Sequence, residues 1–94
     1  MIHLESEKFM IETALNIEGM MRRMCESHIN KTIRKNFNIE KVKSSHRKNQ
    51  TVILSEQELD PANLQEVIER TGYHFKGMST KPFVHSGLFS FHKN

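Results

Sequence analysis

The first regular pattern along the chain is an alternation of apolar and polar residues over 9–17, "FMIETALNI". A period of two is typical of a strand that is buried on one side only. Gly19 interrupts the alternation, so we predict that the strand ends before it. The predicted buried face carries Phe9, Ile11, Thr13, Leu15 and Ile17, and the opposite face carries Glu12, Asn16 and Glu18.

A helical pattern replaces the alternation from Cys25 onward. Cys25, Ile29, Ile33 and Phe37 recur at every fourth position, which places them on one face of an amphipathic helix. An acidic residue near its start and basic residues near its end complement the helix dipole. We expect this helix to end at Asn36 or Asn38, because asparagine is a common C-terminal capping residue.

The middle of the chain predicts a hairpin. Residues 39–47, "IEKVKSSHR", and 51–55, "TVILS", each have the composition of a strand. The short polar segment "KNQ" between them is typical of a tight connection between antiparallel strands.

A second helix and a last strand follow the hairpin. Asp60 can cap free N–H groups, and Pro61 suits the first helical position. Leu64, Val67 and Ile68 form its apolar stripe, and Gly72 is a typical residue just after a helix. The segment "YHFKGMS" then predicts a strand with Tyr73, Phe75 and Gly77 on one face.

The order strand, helix, strand, strand, helix, strand predicts an α+β fold. It is the ferredoxin-like βαββαβ arrangement, a four-stranded antiparallel sheet with both helices on one face. We divide the chain into an N-terminal lead-in (1–8), the domain (9–80) and a C-terminal tail (81–94). Pro82 should discourage continuation of the last strand. The tail contains Phe83, Leu88, Phe89 and Phe91, which either fold back on the open face of the sheet or contact a partner.

Length and composition limit the class of protein. The 94 residues and the 36% hydrophobic content suit one small globular domain. No apolar run approaches the roughly 20 residues that span a membrane, and the N-terminus lacks a signal-peptide pattern. The single cysteine excludes an intrachain disulfide. We therefore expect a cytoplasmic protein.

Charge is unevenly distributed along the chain. Lys and Arg (14) exceed Asp and Glu (11) only slightly, but the basic residues concentrate in 22–48 and acidic ones in 55–70. This predicts one basic and one acidic surface. A basic surface can bind nucleic acid or an acidic protein, or it can simply be a solvated face.

The loop "GMMRRMC" between the first strand and the first helix carries the candidate chemistry. Cys25 lies near a helix N-terminus beside Arg22 and Arg23, an environment that lowers the pKa of a thiol. The alternative is that Cys25 points into the core in register with Ile29 and Ile33, since free cysteine is often buried.

This loop resembles that of heavy-metal-associated domains, the fold of copper chaperones and of N-terminal modules of metal-pumping P-type ATPases. The family carries Gly-Met-x-Cys-x-x-Cys at this place. Gly19 and Met20 match the motif, Cys25 matches its second cysteine, and Arg22 stands where the first cysteine would be. The later "TGYHF" is similar to the family's Gly-Tyr entry to the last strand.

The resemblance implies a soft-metal binding and transport module with a site reduced to one cysteine. Thiolates select Cu(I) and other soft ions. Cys25 is then the metal ligand, with Met24 and His28 as accessory ligands. The implied partners are a metal-transporting P-type ATPase or another acidic protein. A homodimer could also supply two copies of Cys25 at one site.

Other functions remain as alternatives. The domain could have lost the metal and kept the fold as an interaction module that docks an acidic partner through its basic surface. Arg22 and Arg23 at a helix start could instead bind an anion. Nucleic-acid binding is disfavoured, because "TVILS" offers no aromatic residue for base stacking. No catalytic motif is recognisable, so we do not expect an enzyme.

Overall fold

Strands and helices follow one another along the chain in the predicted order. A computed structural model describes residues 8–85; the predictions for the first part of the lead-in and for 86–94 concern residues outside this range. The elements are β1 (Lys8–Glu18), α1 (Arg23–Asn36), β2 (Lys41–Ser45), β3 (Gln50–Ser55), α2 (Pro61–Arg70) and β4 (His74–His85). The strands form one sheet in the order β2-β3-β1-β4, and each neighbouring pair is antiparallel. The predicted ferredoxin-like α+β fold is confirmed.

Both helices bury their apolar stripes against the same face of the sheet. Each fully buried leucine or isoleucine contributes about 1.5–3 kcal/mol of hydrophobic free energy. Within the described residues, neither helix is long and apolar enough to cross a membrane. The core side chains with no exposed surface are Leu15, Ile17, Ile29, Ile33, Ile53, Leu64 and Ile68.

The helix boundaries follow from local capping chemistry. α1 begins at Arg23, and its N-cap residue Arg22 makes no side-chain capping bond. The helix therefore starts before Cys25, the residue at which the apolar pattern predicted its start. α2 begins as predicted: the Asp60 carboxylate accepts a hydrogen bond from the Ala62 N–H at 3.2 Å, and Pro61 is the first helical residue. The earlier start of α1 places Cys25 inside its first turn.

The hairpin is tied to α1 by a polar chain. The Ser44 hydroxyl donates to the Asn30 side-chain oxygen at 2.7 Å and lies 2.8 Å from the Thr51 hydroxyl. β2 covers only Lys41–Ser45, less than the predicted 39–47, and residues 46–49 form the turn. The longer turn brings His46 back over the start of α1.

The expectation that Pro82 ends the last strand is wrong. β4 continues to His85, and Pro82 lies opposite Ile11 of β1. β4 is an edge strand, so alternate backbone N–H groups have no partner strand, and a proline is tolerated there. Sheet pairing therefore extends five residues beyond the predicted boundary of the domain at residue 80.

A β-bulge changes which β4 residues face the helices. Asn16 pairs with Gly77, whereas Ile17 pairs with Phe75, so one extra residue of β4 is accommodated between them. As a result Phe75 and Met78 both pack against the core. The prediction that Phe75 and Gly77 share a face is wrong, because the register shift lies between them.

Candidate functional site

Two packing contacts hold the loop between β1 and α1 against the rest of the domain. Met20 is 3% exposed and belongs to the core. Gly19 has φ +108°, and a Cβ at this position would lie 3.2 Å from Cδ1 of Tyr73. A side chain would therefore meet both backbone strain and the tyrosine ring. The loop rests on Tyr73 while Met21, 77% exposed, projects into solvent.

Cys25 lies at the junction of this loop and α1. Its side chain is half-buried and packs against the hydrophobic core, and its backbone N–H donates to the Arg22 carbonyl at 2.9 Å. The thiol also forms a hydrogen bond with the side chain of Tyr73. Both sequence interpretations of Cys25 thus hold in part, since the residue packs on the core and still presents its sulfur to a polar group.

The pKa of Cys25 is lowered from its ordinary value, chiefly by the hydrogen bond from Tyr73. Backbone hydrogen bonds at Arg22 and Met21 act in the same direction, and burial opposes them. The charge of Arg22 is the smallest contributor. This is the predicted direction, but the main cause is a tyrosine hydroxyl and not the charges of the neighbouring arginines.

Tyr73 connects Cys25 to His28. Burial, with the neighbouring Cys25, raises the pKa of Tyr73 to about 12, so at neutral pH its hydroxyl stays protonated and can donate to the sulfur. The Nδ1 atom of His28 lies 3.4 Å from the same hydroxyl, and the two rings meet edge to face with centroids 5.9 Å apart. Tyr73 belongs to the "TGYHF" motif, which indicated the fold from the sequence but gave no sign that this tyrosine contacts Cys25.

The other predicted site residues lie around this centre. Met24 is 67% exposed, and Arg22, Arg23 and His28 are exposed as well. Cys25, Met24 and His28 are therefore gathered on the first turns of α1. Across residues 8–85, no group of three or more His, Cys, Asp or Glu side chains is placed to hold a metal ion.

A second polar contact fixes the start of α1. The Glu26 carboxylate accepts hydrogen bonds from the His46 backbone N–H at 2.8 Å and from its ring at 2.5 Å. These bonds, the backbone one first, lower the pKa of Glu26. His46 is therefore occupied as a partner of Glu26, and the contact holds the first turn of α1 against the hairpin.

The basic residues of 22–48 are all exposed, and they lie on α1, on β2, which packs against α1, and on the turn that follows β2. We call this the basic surface. Its members are Arg22, Arg23, Lys31, Arg34, Lys35, Lys41, Lys43, Arg47 and Lys48. The acidic residues on and before α2 lie on the part of the fold that packs against β4.

The sheet order and the two helices define a ferredoxin-like domain with its polar loop between β1 and α1. Comparison with solved structures shows which ferredoxin-like domains this chain is similar to. The N-terminal domain of PacS from Synechocystis PCC6803 is 28% identical with a TM-score of 0.59, and the match covers 69% of this chain and 92% of that chain. The yeast copper transporter domain Ccc2a, solved in apo and Cu(I)-loaded states, is 25% identical with a TM-score of 0.61, covering 69% and 90%.

Oxidized MerP from Ralstonia metallidurans CH34 is 22% identical with a TM-score of 0.62, and the match covers 77% of this chain and 97% of that chain. No protein-family model and no curated protein matches the chain. The chain has the heavy-metal-associated fold, and the resemblance stated from its loop is confirmed at the level of the fold.

Proposed function

We propose that this protein is a soft-metal handling module in which Cys25 is the single thiolate ligand. The observation that carries the proposal is the hydrogen bond from Tyr73 to the Cys25 thiol, which lowers the pKa of that thiol. A thiolate, and not a thiol, is the form that binds Cu(I). The fold likeness to the Cu(I)-loaded domain Ccc2a supports the choice of Cu(I) as cargo.

The second donor would come from the accessory residues or from another molecule. Met24 is a soft thioether on the exposed side of the loop, and His28 lies beside the same tyrosine hydroxyl as Cys25. Arg22 occupies the place of the missing cysteine and adds a positive charge that opposes a bound cation. The arrangement favours weak, shared coordination, in which a partner contributes a cysteine or a second copy contributes its own Cys25.

The partner would be an acidic protein that docks on the basic surface. A metal-transporting P-type ATPase is one such partner, as the family resemblance implies. We place the activity in the cytoplasm, because an unpaired cysteine that must stay reduced suits a reducing compartment. The proposed role is binding and transfer, with no catalytic step.

A Cu(I) titration under reducing conditions against a competing chelator tests the metal site. We expect the unmodified chain to bind one Cu(I) weakly and Cys25→Ser to lose that binding. Arg22→Cys should lower the dissociation constant for Cu(I) by more than about 100-fold, because a thiolate that binds the metal directly should contribute more than an outer-shell partner does. Arg23→Cys is the matched control, since it adds a thiol at the wrong spacing.

The same titration separates the proposal from the alternative of an interaction module without a metal. If the unmodified chain binds no more Cu(I) than Cys25→Ser, the metal function is contradicted. Tight binding by Arg22→Cys in that case would show that the scaffold can still hold a metal. The exposed Arg22 at the missing ligand position is the observation that favours this second function.

A further inference from the structure

The two edges of the sheet differ in how readily they can accept a further strand. β4, at one edge, contains Pro82, which has no backbone N–H, and it accommodates the bulge opposite Asn16 and Ile17. Both features discourage pairing with an added strand. β2, at the other edge, has no proline and pairs with β3 without a register shift. Within residues 8–85, no strand pairs with the outer side of β2.

The backbone of β2 can therefore form hydrogen bonds with one more strand. In an antiparallel edge strand, alternate residues turn both their N–H and their C=O away from the paired neighbour. The five residues Lys41–Ser45 offer such groups along about 16 Å. This is the geometry that β-strand addition uses, in which an extended peptide lengthens a sheet by one strand.

Two lysines determine the chemistry of this edge on the face away from the helices. Lys41 and Lys43 pair with Leu54 and Val52 of β3. Ile53 between those two is fully buried on the helix side, so the lysines lie on the opposite face. Both lysines are exposed, and among the described residues neither forms an ion pair. An added strand would place alternate side chains beside these ammonium groups, where acidic residues are favoured.

The helix side of the same edge adds a small apolar surface and a further cation. Val42 packs against the core but is only partly buried. Asn30 of α1 accepts the hydrogen bond from Ser44 at 2.7 Å, and Arg34 lies one turn further along the same face of the helix. Arg34 and Val42 border one cavity. A side chain of the added strand that points this way meets Val42 and is favoured if it is apolar.

We propose that β2 is the docking edge for an acidic partner, which adds an extended strand of alternating acidic and apolar residues. The inference rests on the proposed function, because it specifies how the acidic partner of that function binds. Within the basic surface it assigns the main-chain contacts to β2 and not to α1 or to the turn. Lysines at this edge repel a basic strand and attract an acidic one, which makes the edge selective.

A short peptide that alternates glutamate and valine, long enough to span β2, tests the proposal on the metal-free full chain. In an NMR titration of isotope-labelled chain, we expect nuclear Overhauser effects between the peptide backbone and the backbone of Lys41–Ser45. A peptide that alternates lysine and valine should not bind. Methylation of every amide nitrogen of the acidic peptide keeps its charge but removes its N–H donors, so binding should be lost. Retained binding would show that charge alone attracts the peptide, which overturns the proposal.

Two matched substitutions locate the contact. Lys43→Glu should raise the dissociation constant of the acidic peptide about tenfold, because a cross-strand attraction becomes a repulsion. Lys76→Glu makes the same charge change at an exposed position of β4, and it should change the constant by less than about twofold, since salt screens distant charges. Equal effects of the two substitutions would overturn the proposal.

Two further outcomes concern the occupant of the edge. Contacts at β2 between labelled and unlabelled chains without peptide would mean that a second copy occupies the edge, which overturns the proposal. A chain that binds Cu(I) but binds the acidic peptide no better than the basic one would overturn this inference and leave the metal function in place. The lysines would then serve only to keep other strands away from β2.

Discussion

Tyr73 donates its hydroxyl hydrogen to the sulfur of Cys25, although the two residues come from opposite ends of the domain. The bond joins the residue before β4 to the first turn of α1. It stabilises the thiolate without adding a charge, because Tyr73 keeps its proton far above neutral pH. The candidate site thereby combines one ionisable thiol with a neutral hydrogen-bond donor.

Removal of this donor should raise the pKa of Cys25. In metal-free Tyr73→Phe, the sulfur loses its largest stabilising contact, so the rate of alkylation should rise with pH at a higher pH than in the unmodified chain. The measurement is the iodoacetamide rate from pH 5 to pH 10. Arg22→Gln is the control and should shift the profile less, since its charge is the smallest contributor. A larger shift in Arg22→Gln would contradict this assignment.

Gly19→Ala should destabilise the domain through two separate effects. The new residue would hold φ +108° and place its Cβ 3.2 Å from the Tyr73 ring, and a strained backbone of this kind costs about 1–3 kcal/mol. Urea denaturation measures the loss in free energy of unfolding.

Gly72→Ala separates the two effects. Its φ is +101°, but no atom lies within 4 Å of the added Cβ, so it reports backbone strain alone. Gly19→Ala should be the more destabilising of the two. Equal losses would mean that the Tyr73 ring moves aside at no cost.

Local patterns were enough to predict every element of this fold, but not the contacts between distant segments. The apolar periodicity of α1 and the Asp60-Pro61 start of α2 act within one or two turns, and both predictions are confirmed. The tolerance for Pro82 depends on β4 being an edge strand, which only the sheet order determines. The bulge opposite Asn16 and Ile17 likewise depends on the pairing of β1 with β4.

Only part of the candidate site could be predicted, because local spacing groups only residues that are close along the chain. Cys25, Met24 and His28 are close in sequence, so helical spacing was sufficient to group them. Tyr73 is 45 residues from His28, and no periodicity connects the two. Sequence neighbours alone therefore pointed to the arginines as the cause of a lowered pKa of Cys25, whereas the main donor comes from the other half of the chain.

The contact between Glu26 and His46 should make the stability of the metal-free protein depend on acidic pH. The pKa of Glu26 is lowered in the folded state from 4.5. Its contribution is therefore present above pH 4.5 and is lost as the pH falls through the lower folded value. Glu26→Gln should flatten this part of the stability curve, measured by urea denaturation between pH 7 and pH 2.5.

Glu66→Gln is the control for that experiment. Glu66 pairs with Arg70 at 2.9 Å, but both side chains are more than 60% exposed, and exposed ion pairs contribute little to stability. The acid limb of its stability curve should stay close to that of the unmodified chain. An equal flattening by both substitutions would indicate a general charge effect and contradict a specific role for the Glu26 contact.

Thr13 and Thr51 should respond in opposite ways to the same substitution. Both are fully buried, but among the described residues the Thr13 hydroxyl is buried with no hydrogen-bond partner, whereas the Thr51 hydroxyl lies 2.8 Å from Ser44. Thr13→Val removes an unsatisfied polar atom at nearly constant volume and should stabilise the domain by about 1 kcal/mol. Thr51→Val leaves Ser44 without one partner and should destabilise it by about 1–3 kcal/mol. Urea denaturation of the two variants side by side measures both changes, and a loss of stability in Thr13→Val would mean that its hydroxyl finds a partner in solution.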